Sequence, residues 1–249
     1  MKKLAREAGD LILGLYNSPD GEIHSSIKTD DSPVTKADII ANRHIVENLE
    51  RKFPSYAILS EESADDLSRI ENSFCFLVDP LDGTKEFIRR NGEFTVNIAL
   101  ASNRKIIAGV IYAPAIDELY YAAKKEGAFL ETTSTRKKIS VSDRNQKLRI
   151  AVSRSHRSPE EDELIKKLNI TEVIEAGSSL KGCLVARGDA EIYYRHGRTM
   201  EWDTAAMQII IEEAGGEMYY IDGSSILYNK TIPKNRSFIA KNRSSVIDL

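Results

Sequence analysis

The chain has 249 residues, 35 of them Lys or Arg and 38 Asp or Glu, which leaves a formal net charge of −3 at pH 7. That near balance excludes a surface built for general nucleic-acid binding. With 41% hydrophobic and 29% charged residues, the composition is that of a globular protein and excludes the disordered, collagen-like and low-complexity classes.

Two helices are predicted near the N-terminus. Apolar residues recur at helical spacing from Leu4 to Leu15, and a polar loop follows this first helix. A second helical pattern begins at Thr35, places Asp38 in its first turn and stops before Pro54. An acidic side chain therefore lies at the start of the second helix.

A set of strands is predicted next. Ala57 to Leu59 and Phe74 to Val78 are short apolar runs, and each leads straight into acidic residues. Three further β-rich runs, separated by turn-like clusters, favour an antiparallel meander. They are Thr95 to Ala101, Ile106 to Ala113 and Glu118 to Ala122. The polar stretch from Glu131 to Gln146 is predicted to connect two lobes.

The second half has an α/β rhythm, in which strands alternate with helices. The predicted strands are Ile150 to Ser153, Glu172 to Ile174, Glu191 to Tyr194 and Glu217 to Ile221. The predicted helices are Pro159 to Leu168, Ser178 to Arg187 and Trp202 to Ala214. Since single cores stop growing at roughly 250–300 residues, we expect two closely packed lobes, residues 1–140 and 141–249.

Cysteine usage and the N-terminal residues bear on where the protein works. Cys75 and Cys183 both lie in apolar settings, which favours buried reduced thiols. The first ten residues place charges where a secretion signal needs an apolar region. No apolar run approaches the roughly 20 residues of a membrane span. We therefore expect a cytoplasmic protein without a transmembrane segment.

The segment from Asp79 to Thr84 carries the sharpest chemical signal. Pro80 and Gly83 are expected to force a tight bend after the strand, which would aim two carboxylates and the Leu81 carbonyl at one point. Unpaired amides at the start of the next segment could then bind an anion. Taken alone, such a run is more often a common surface turn.

Three further acidic positions support the chemical interpretation. Glu61-Glu62 follows a predicted strand, while Asp38 and Asp203 lie in first turns of predicted helices. Each has an ordinary structural explanation, as a solvated pair or as a complement to a helix dipole. Together they place four acidic sites at strand ends and helix starts. Such oxygen-rich sets select Mg²⁺ or Mn²⁺ and can support phosphoryl transfer.

These segments resemble the signature of the inositol monophosphatase superfamily over nearly the whole chain. That signature is an acid, a Glu-Glu pair, Asp-Pro-(Ile/Leu)-Asp-Gly-Thr and Trp-Asp-x-x-Ala, found here at Asp38, Glu61-Glu62, Asp79 to Thr84 and Trp202 to Ala206. Asp79 to Phe87, followed by Arg90 to Leu100, resembles the CysQ-type 3'(2'),5'-bisphosphate nucleotidases, and Lys85-Glu86-Phe87 stands where inositol phosphatases usually have Thr-Asn-Phe. The resemblance implies a layered αβαβα sugar-phosphatase fold.

The resemblance also implies roles for individual residues at the metal site. Glu61, Asp79 and the Leu81 carbonyl would hold one Mg²⁺ ion, and Asp79, Asp82 and Asp203 a second. Asp38 and Thr84 would share a hydrogen bond that orients and deprotonates the attacking water, with Glu61 assisting through a third, weakly bound ion. The amides of Gly83 and Thr84 would bind the transferred phosphate.

A second group of residues would bind the rest of a nucleotide. By resemblance, Ser178, Lys181 and Arg195 would surround the second phosphate of a nucleoside bisphosphate, and His156 would lie beside the base. Each has an ordinary alternative as a solvated or structural residue. Relatives often carry aromatic residues where Gly182 and His196 stand here.

The resulting prediction is a Mg²⁺-dependent, lithium-sensitive phosphatase that converts adenosine 3',5'-bisphosphate to AMP and phosphate in sulfur assimilation, with the sulfated precursor as a second candidate substrate. Mn²⁺ is expected to substitute for Mg²⁺. One alternative is a phosphatase of inositol or sugar phosphates, and another is a non-catalytic metal- or nucleotide-binding regulator. The expected partner is a small nucleotide and not a nucleic acid, and the expected state is a monomer or homodimer, cytoplasmic or peripheral to the inner membrane.

Overall fold

The computed structural model of the protein describes residues 1–18, 25–27, 33–155, 157–245 and 247. Its elements form five layers, in which helices and sheets alternate. The predicted αβαβα class is confirmed both by this layering and by the solved structures reported below.

The outermost layer on one side is a pair of helices. They are α1 (Lys2–Tyr16) and α2 (Lys36–Lys52), and a short hairpin of β1 (Ser25–Ile27) and β2 (Pro33–Thr35) lies between them in the chain. Both predicted helices are confirmed. Thr35 caps α2, because its Oγ1 accepts a hydrogen bond from the amide of Ala37 at 3.2 Å.

A seven-stranded sheet packs against these helices. Its strands, in spatial order, are β3 (Ala57–Ser60), β4 (Phe74–Asp82), β5 (Thr95–Ser102), β6 (Lys105–Ala113), β7 (Glu118–Ala123), β8 (Gly127–Glu131) and β9 (Arg136–Ile139). β3 runs parallel to β4, and every later pair is antiparallel. The predicted meander is therefore confirmed and is two strands longer than expected.

The middle layer is formed by helices α5 (Leu180–Ala186) and α6 (Glu201–Glu213). Strand β4 shows why its sequence is an unbroken apolar run: Phe76 and Val78 pack in the cluster with α1 and α2, whereas Cys75 and Leu77 pack in the cluster with α5 and α6. Both faces of the sheet are thus buried. Both cysteines are buried and free, as predicted, and burial raises the pKa of Cys75 to about 12.

A five-stranded sheet and one helix complete the fold. In spatial order the strands are β11 (Glu172–Ala176), β10 (Arg149–Ser153), β12 (Ile192–Arg195), β14 (Phe238–Lys241) and β13 (Glu217–Tyr220), and α4 (Pro159–Lys167) covers the outer face. β10 is parallel to β11 and β12, while β14 is antiparallel to both of its neighbours. The alternation predicted for this half is confirmed.

Three local predictions are wrong. Residues 136–139 are not part of a connection, since they form edge strand β9. Its Arg and Lys residues are exposed, so its sequence lacks the apolar pattern of a strand. Strand β14 was not predicted, although it lies between β12 and β13. The chain also does not bend sharply after Val78. Strand β4 continues to Asp82 with an irregular register between Asp79 and Asp82.

Candidate active site

A cavity of about 750 Å³ lies where the end of β4 meets the N-terminal ends of α5 and α6. Its lining includes eight of the residues singled out in the sequence: Glu61, Asp82, Gly83, Thr84, Ser178, Lys181, Arg195 and Asp203. Asp38, Asp79 and Leu81 lie behind this lining and are buried. His156 lies outside the described residues.

The end of β4 supplies two carboxylates and a turn. Asp79 Oδ1 accepts a hydrogen bond from the amide of Leu81 at 3.1 Å, which holds the irregular stretch in place. The turn comes at Gly83, whose φ of +94° favours glycine, and the short helix α3 (Thr84–Ile88) begins there. The amide of Glu61 donates to the Val78 carbonyl at 3.1 Å, so Glu61 lies next to β4.

Asp38 lies at the start of α2 and is 2% exposed. Its Oδ2 accepts two hydrogen bonds from Thr35, at 2.7 Å from the amide and at 2.6 Å from Oγ1. Its Oδ1 accepts one from Thr84 Oγ1 at 3.1 Å. Burial raises the pKa of Asp38, and these hydrogen bonds oppose the rise. The structure thus brings together the two residues expected to act on water.

Asp82 is held by a polar network that the sequence analysis missed. Its Oδ2 accepts hydrogen bonds from Ser179 Oγ at 2.6 Å and from Asn97 Nδ2 at 3.2 Å. Asn97 also donates to Ser179 at 2.9 Å. Thr95 and Asn97 alternate with apolar residues in β5, and that period-two polarity was the available signal.

Asp203 faces the same space from the first turn of α6. Its Oδ2 accepts a hydrogen bond from the amide of Met200 at 2.8 Å, as an acid at the third position of a helix commonly does. Ser179 Oγ, whose hydroxyl proton bonds Asp82, also lies 3.2 Å from the backbone carbonyl of Asp203. Ser179 therefore links the Asp82 and Asp203 segments.

The carboxylates form a region of strong negative charge. Burial is the main cause that raises the pKa of Asp79, Asp82 and Asp203, and repulsion by neighbouring acids, Glu61 among them, raises all three further. Buried like charges of this kind are unfavourable unless a cation neutralises them. The oxygen-only donor set and this excess charge fit Mg²⁺.

The carboxylates are nevertheless spread around the cavity. Within the described ranges, no group of three or more His, Cys, Asp or Glu side chains is already gathered closely enough to hold an ion.

The cavity lining also carries two cations, Lys181 and Arg195. Lys181 is 6% exposed, and its Nζ donates to the carbonyls of Ser178 at 2.5 Å and Ala176 at 3.4 Å. Burial lowers the pKa of Lys181, while Asp82 opposes that effect. Arg195 lies 3.7 Å from the buried carboxylate of Glu161. We refer to the carboxylates as the acidic side of the cavity and to Lys181 and Arg195 as its basic side.

Ser178 adds an unsatisfied donor to the basic side. Its φ of +44° lies in the left-handed region, and its buried hydroxyl makes no hydrogen bond within the described chain. A buried hydroxyl without a partner is costly, so this atom is available to a ligand.

Gly182 and His196, where the resemblance leads us to expect aromatic residues, have different surroundings. A Cβ on Gly182 would lie 2.2 Å from Met207 Cγ, so Met207 occupies the space that a side chain there would need. His196 Nδ1 lies 3.2 Å from Glu160 Oε2 at the surface.

Comparisons with known proteins agree with this geometry. Residues 1–248 match the sequence profile of the inositol monophosphatase family. The chain is 44% identical, over 91% of each sequence, to the 3'(2'),5'-bisphosphate nucleotidase CysQ of Salmonella typhimurium. The crystal structure of CysQ from Bacteroides thetaiotaomicron superposes with a TM-score of 0.86 at 39% identity, covering 96% of this chain and 94% of that one.

A more distant structural relative shows how widely the fold is shared. The Thermotoga maritima IMPase superposes with a TM-score of 0.81 at 26% identity, covering 97% of this chain and 90% of that one. In the part of the chain that the structure describes, no helix has the length and apolarity required to cross a bilayer.

Proposed function

The chain belongs to the inositol monophosphatase family, and on that premise we propose that it is a Mg²⁺-dependent 3'(2'),5'-bisphosphate nucleotidase. It hydrolyses the 3'-phosphate of adenosine 3',5'-bisphosphate to give AMP and phosphate, and it is therefore a phosphoric monoester hydrolase of sulfur metabolism. The CysQ relatives at 44% identity support this assignment. The observation that carries it is one cavity lined both by carboxylates and by Lys181 and Arg195.

We propose that the carboxylate side binds the cations. Glu61, Asp79 and the Leu81 carbonyl would hold one Mg²⁺ ion, and Asp79, Asp82 and Asp203 a second. The chemistry that Mg²⁺ supplies in such a site is neutralisation of phosphate charge and easier ionisation of water. The raised pKa values of the three Asp residues support this role, because burial and repulsion between neighbouring acids both oppose their negative charges.

Asp38 and Thr84 would activate water as a relay. Thr84 Oγ1 already donates to Asp38 Oδ1, so its lone pairs are open to accept a hydrogen bond from a water molecule. As that water attacks phosphorus, its proton passes to Thr84, and Thr84 passes its own proton to Asp38. The raised pKa of Asp38 favours the transfer. The bond from phosphorus to the 3'-oxygen breaks, and that oxygen takes a proton from solvent water and leaves as the ribose hydroxyl.

The phosphate that is not cleaved would lie on the basic side. Lys181 and Arg195 would pair with it, and the hydroxyl of Ser178 could donate to the same group. Gly83 and Thr84 would present backbone amides to the phosphate that is cleaved. The position of His156 beside the base stays a prediction from the resemblance.

The direct test is hydrolysis of adenosine 3',5'-bisphosphate with identification of the nucleotide product. We expect phosphate release that requires Mg²⁺ and yields 5'-AMP, separated by chromatography from 3'-AMP. Release of the 5'-phosphate, which leaves 3'-AMP, would contradict the assigned orientation. Equal activity in EDTA would contradict the metal assignment.

We further propose inhibition by Li⁺ and activity with Mn²⁺ in place of Mg²⁺. Both follow from the family signature at Asp38, Glu61 and Asp79 to Thr84. Activity that is unaffected by tens of millimolar Li⁺, an order-of-magnitude choice for a weakly held cation, would count against a lithium-sensitive site. The monomeric or dimeric state and the cytoplasmic location are predictions that sedimentation and cell fractionation would check.

A further inference from the structure

A second polar network crosses beside the cavity, from α3 to the end of β10. Ser155 Oγ donates to Glu86 Oε1 at 2.5 Å, and Arg89 donates to the same hydroxyl at 2.7 Å. Glu86 is only 4% exposed and lines the cavity. Lys85-Glu86-Phe87 belongs to the segment that resembles the nucleotidases, but Glu86 takes no part in the proposed reaction.

Arg154 and Glu93 form the second half of this network. The guanidinium of Arg154 donates to both carboxylate oxygens of Glu93, each at 2.8 Å. Glu93 Oε2 also accepts a hydrogen bond from the amide of Gly177 at 2.8 Å. Glu93 therefore ties the end of β10 to the segment that follows β11.

Gly177 is the point at which these segments meet. A Cβ on this residue would lie 2.7 Å from both Glu86 Cγ and the Glu93 carbonyl, so only glycine allows the approach. The neighbours of Gly177 are Ala176 and Ser178, and their two carbonyls accept the hydrogen bonds of Lys181 Nζ. The network thus holds the backbone that positions Lys181.

The carboxylate side has its own support. Asp38 is held by Thr35 and Thr84, and Asp203 by Met200. None of these contacts involves Glu86, Arg89, Glu93, Arg154 or Ser155. A change in this second network should therefore alter the basic side more than the residues that act on the cleaved phosphate.

We propose that Glu93, with Arg154, Ser155, Glu86 and Arg89, is a positioning network that fixes Lys181 for the second phosphate of a nucleoside bisphosphate. The proposal rests on the proposed function and adds the residues that set its preference for a substrate with two phosphates. Glu93 and Arg154 are not part of the cavity lining. They act through Gly177 and the carbonyls beside it.

The test compares adenosine 3',5'-bisphosphate with adenosine 3'-monophosphate, which lacks only the second phosphate. In Glu93→Gln, the bidentate ion pair is lost and the Gly177 contact is weakened. Loss of one charge-assisted contact that positions Lys181 should raise the KM for the bisphosphate about fivefold. The kcat, and the kcat/KM for the monophosphate, should stay within about twofold.

Glu175→Gln is the matched control. Glu175 also pairs with Arg154, at 3.1 Å, but its side chain is 50% exposed and the contacts of the Gly177 amide do not include it. We expect its kinetics to match the wild type. Ser155→Ala, which cuts the Glu86 link, should change KM in the same direction as Glu93→Gln, and Ser155→Thr should restore it.

Three results would overturn the proposal. The first is an equal loss for both substrates in Glu93→Gln, which would indicate general disruption of the fold. The second is an unchanged KM in both Glu93→Gln and Ser155→Ala. The third is a wild-type enzyme with no preference for the bisphosphate, which would overturn the proposed substrate and this inference with it, whereas the first two leave the proposed function intact.

Discussion

The two sides of the cavity differ in the sign of their charge and in how that charge is stabilised. On the acidic side, Asp79 is buried and Asp82 and Asp203 are half-buried, and loss of solvent and mutual repulsion raise the pKa values of all three. On the basic side, Lys181 is buried but rests on backbone carbonyls and faces acids that favour its charge. A bound cation would stabilise the acidic side, and the basic side can bind an anion.

This difference indicates which region determines which property. The acidic side would catalyse the hydrolysis of any phosphate monoester, because it would contact only the cleaved phosphate and the attacking water. The basic side would bind a second anionic group, which inositol 1-phosphate lacks. We therefore assign catalysis to the first region and substrate choice to the second.

The largest effect is expected from neutralising one acid of the cavity. In Asp203→Asn the amide oxygen can still accept the Met200 hydrogen bond, so the helix start should be preserved. Loss of a charged cation ligand should lower kcat by about 10³ or more for every phosphate ester tested. Asp222→Asn, at an exposed acid, is the control and should keep full activity. Near-normal turnover in Asp203→Asn would contradict the metal assignment.

A smaller and more selective effect is expected on the basic side. Lys181→Met keeps most of the buried volume and removes the charge. We expect the KM for adenosine 3',5'-bisphosphate to rise about tenfold or more, since a charged phosphate contact is lost. The kcat/KM for adenosine 3'-monophosphate should change by about twofold or less. Lys166→Met, at an exposed lysine of α4, controls for the substitution. Equal losses for both substrates would remove the distinction between the two sides.

The acidic side should also impose a pH dependence on stability in the absence of Mg²⁺. Between the ordinary Asp pKa of about 3.9 and the raised values, the folded chain binds more protons than the unfolded chain. The free energy of unfolding therefore falls as the pH rises through that window. In EDTA, Asp203→Asn should melt a few degrees above the wild type near pH 8, with a smaller gap near pH 5. A gap that widens on acidification, measured by calorimetry, would contradict the repulsion.

The smallest effect concerns the packing beneath Lys181. Gly182→Ala would bring a methyl group against Met207, which should cost about 1–3 kcal/mol of unfolding free energy. Combining it with Met207→Ala should recover part of that loss, because the two positions share one space. Gly14→Ala, where a methyl group would meet nothing, is the control. Additive losses in the double variant would show that Met207 is not the obstacle.

The four acids of the cavity could be predicted from the sequence for a physical reason, whereas the residues that support Asp82 and Lys181 could not. Asp38, Asp79, Asp82 and Asp203 lie at strand ends and helix starts, and apolar periodicity locates those points well. Ser179 and Asn97 were missed because their importance depends on the register that brings β5 and α5 together. The need for glycine at position 177 was missed for the same reason, since a sequence does not show which distant residues will pack against its backbone.

The layered fold was predictable to a similar degree. Continuous apolar runs such as Phe74 to Val78 identified central strands that are buried on both faces. Strands β9 and β14 were not recognised, because the first carries edge charges and the second is placed by long-range pairing with β12 and β13. Local patterns locate elements, whereas pairing between distant strands requires the structure.

The most direct test of the division between catalysis and substrate choice is one comparison of kcat/KM in Mg²⁺. The substrates are adenosine 3',5'-bisphosphate, inositol 1-phosphate and fructose 1,6-bisphosphate. We expect the nucleotide to be preferred over inositol 1-phosphate by about 10² or more, because inositol 1-phosphate brings no second phosphate to Lys181 and Arg195. A preference for inositol 1-phosphate would show that Lys181 and Arg195 do not select the substrate, and a preference for fructose 1,6-bisphosphate would contradict the nucleotide assignment.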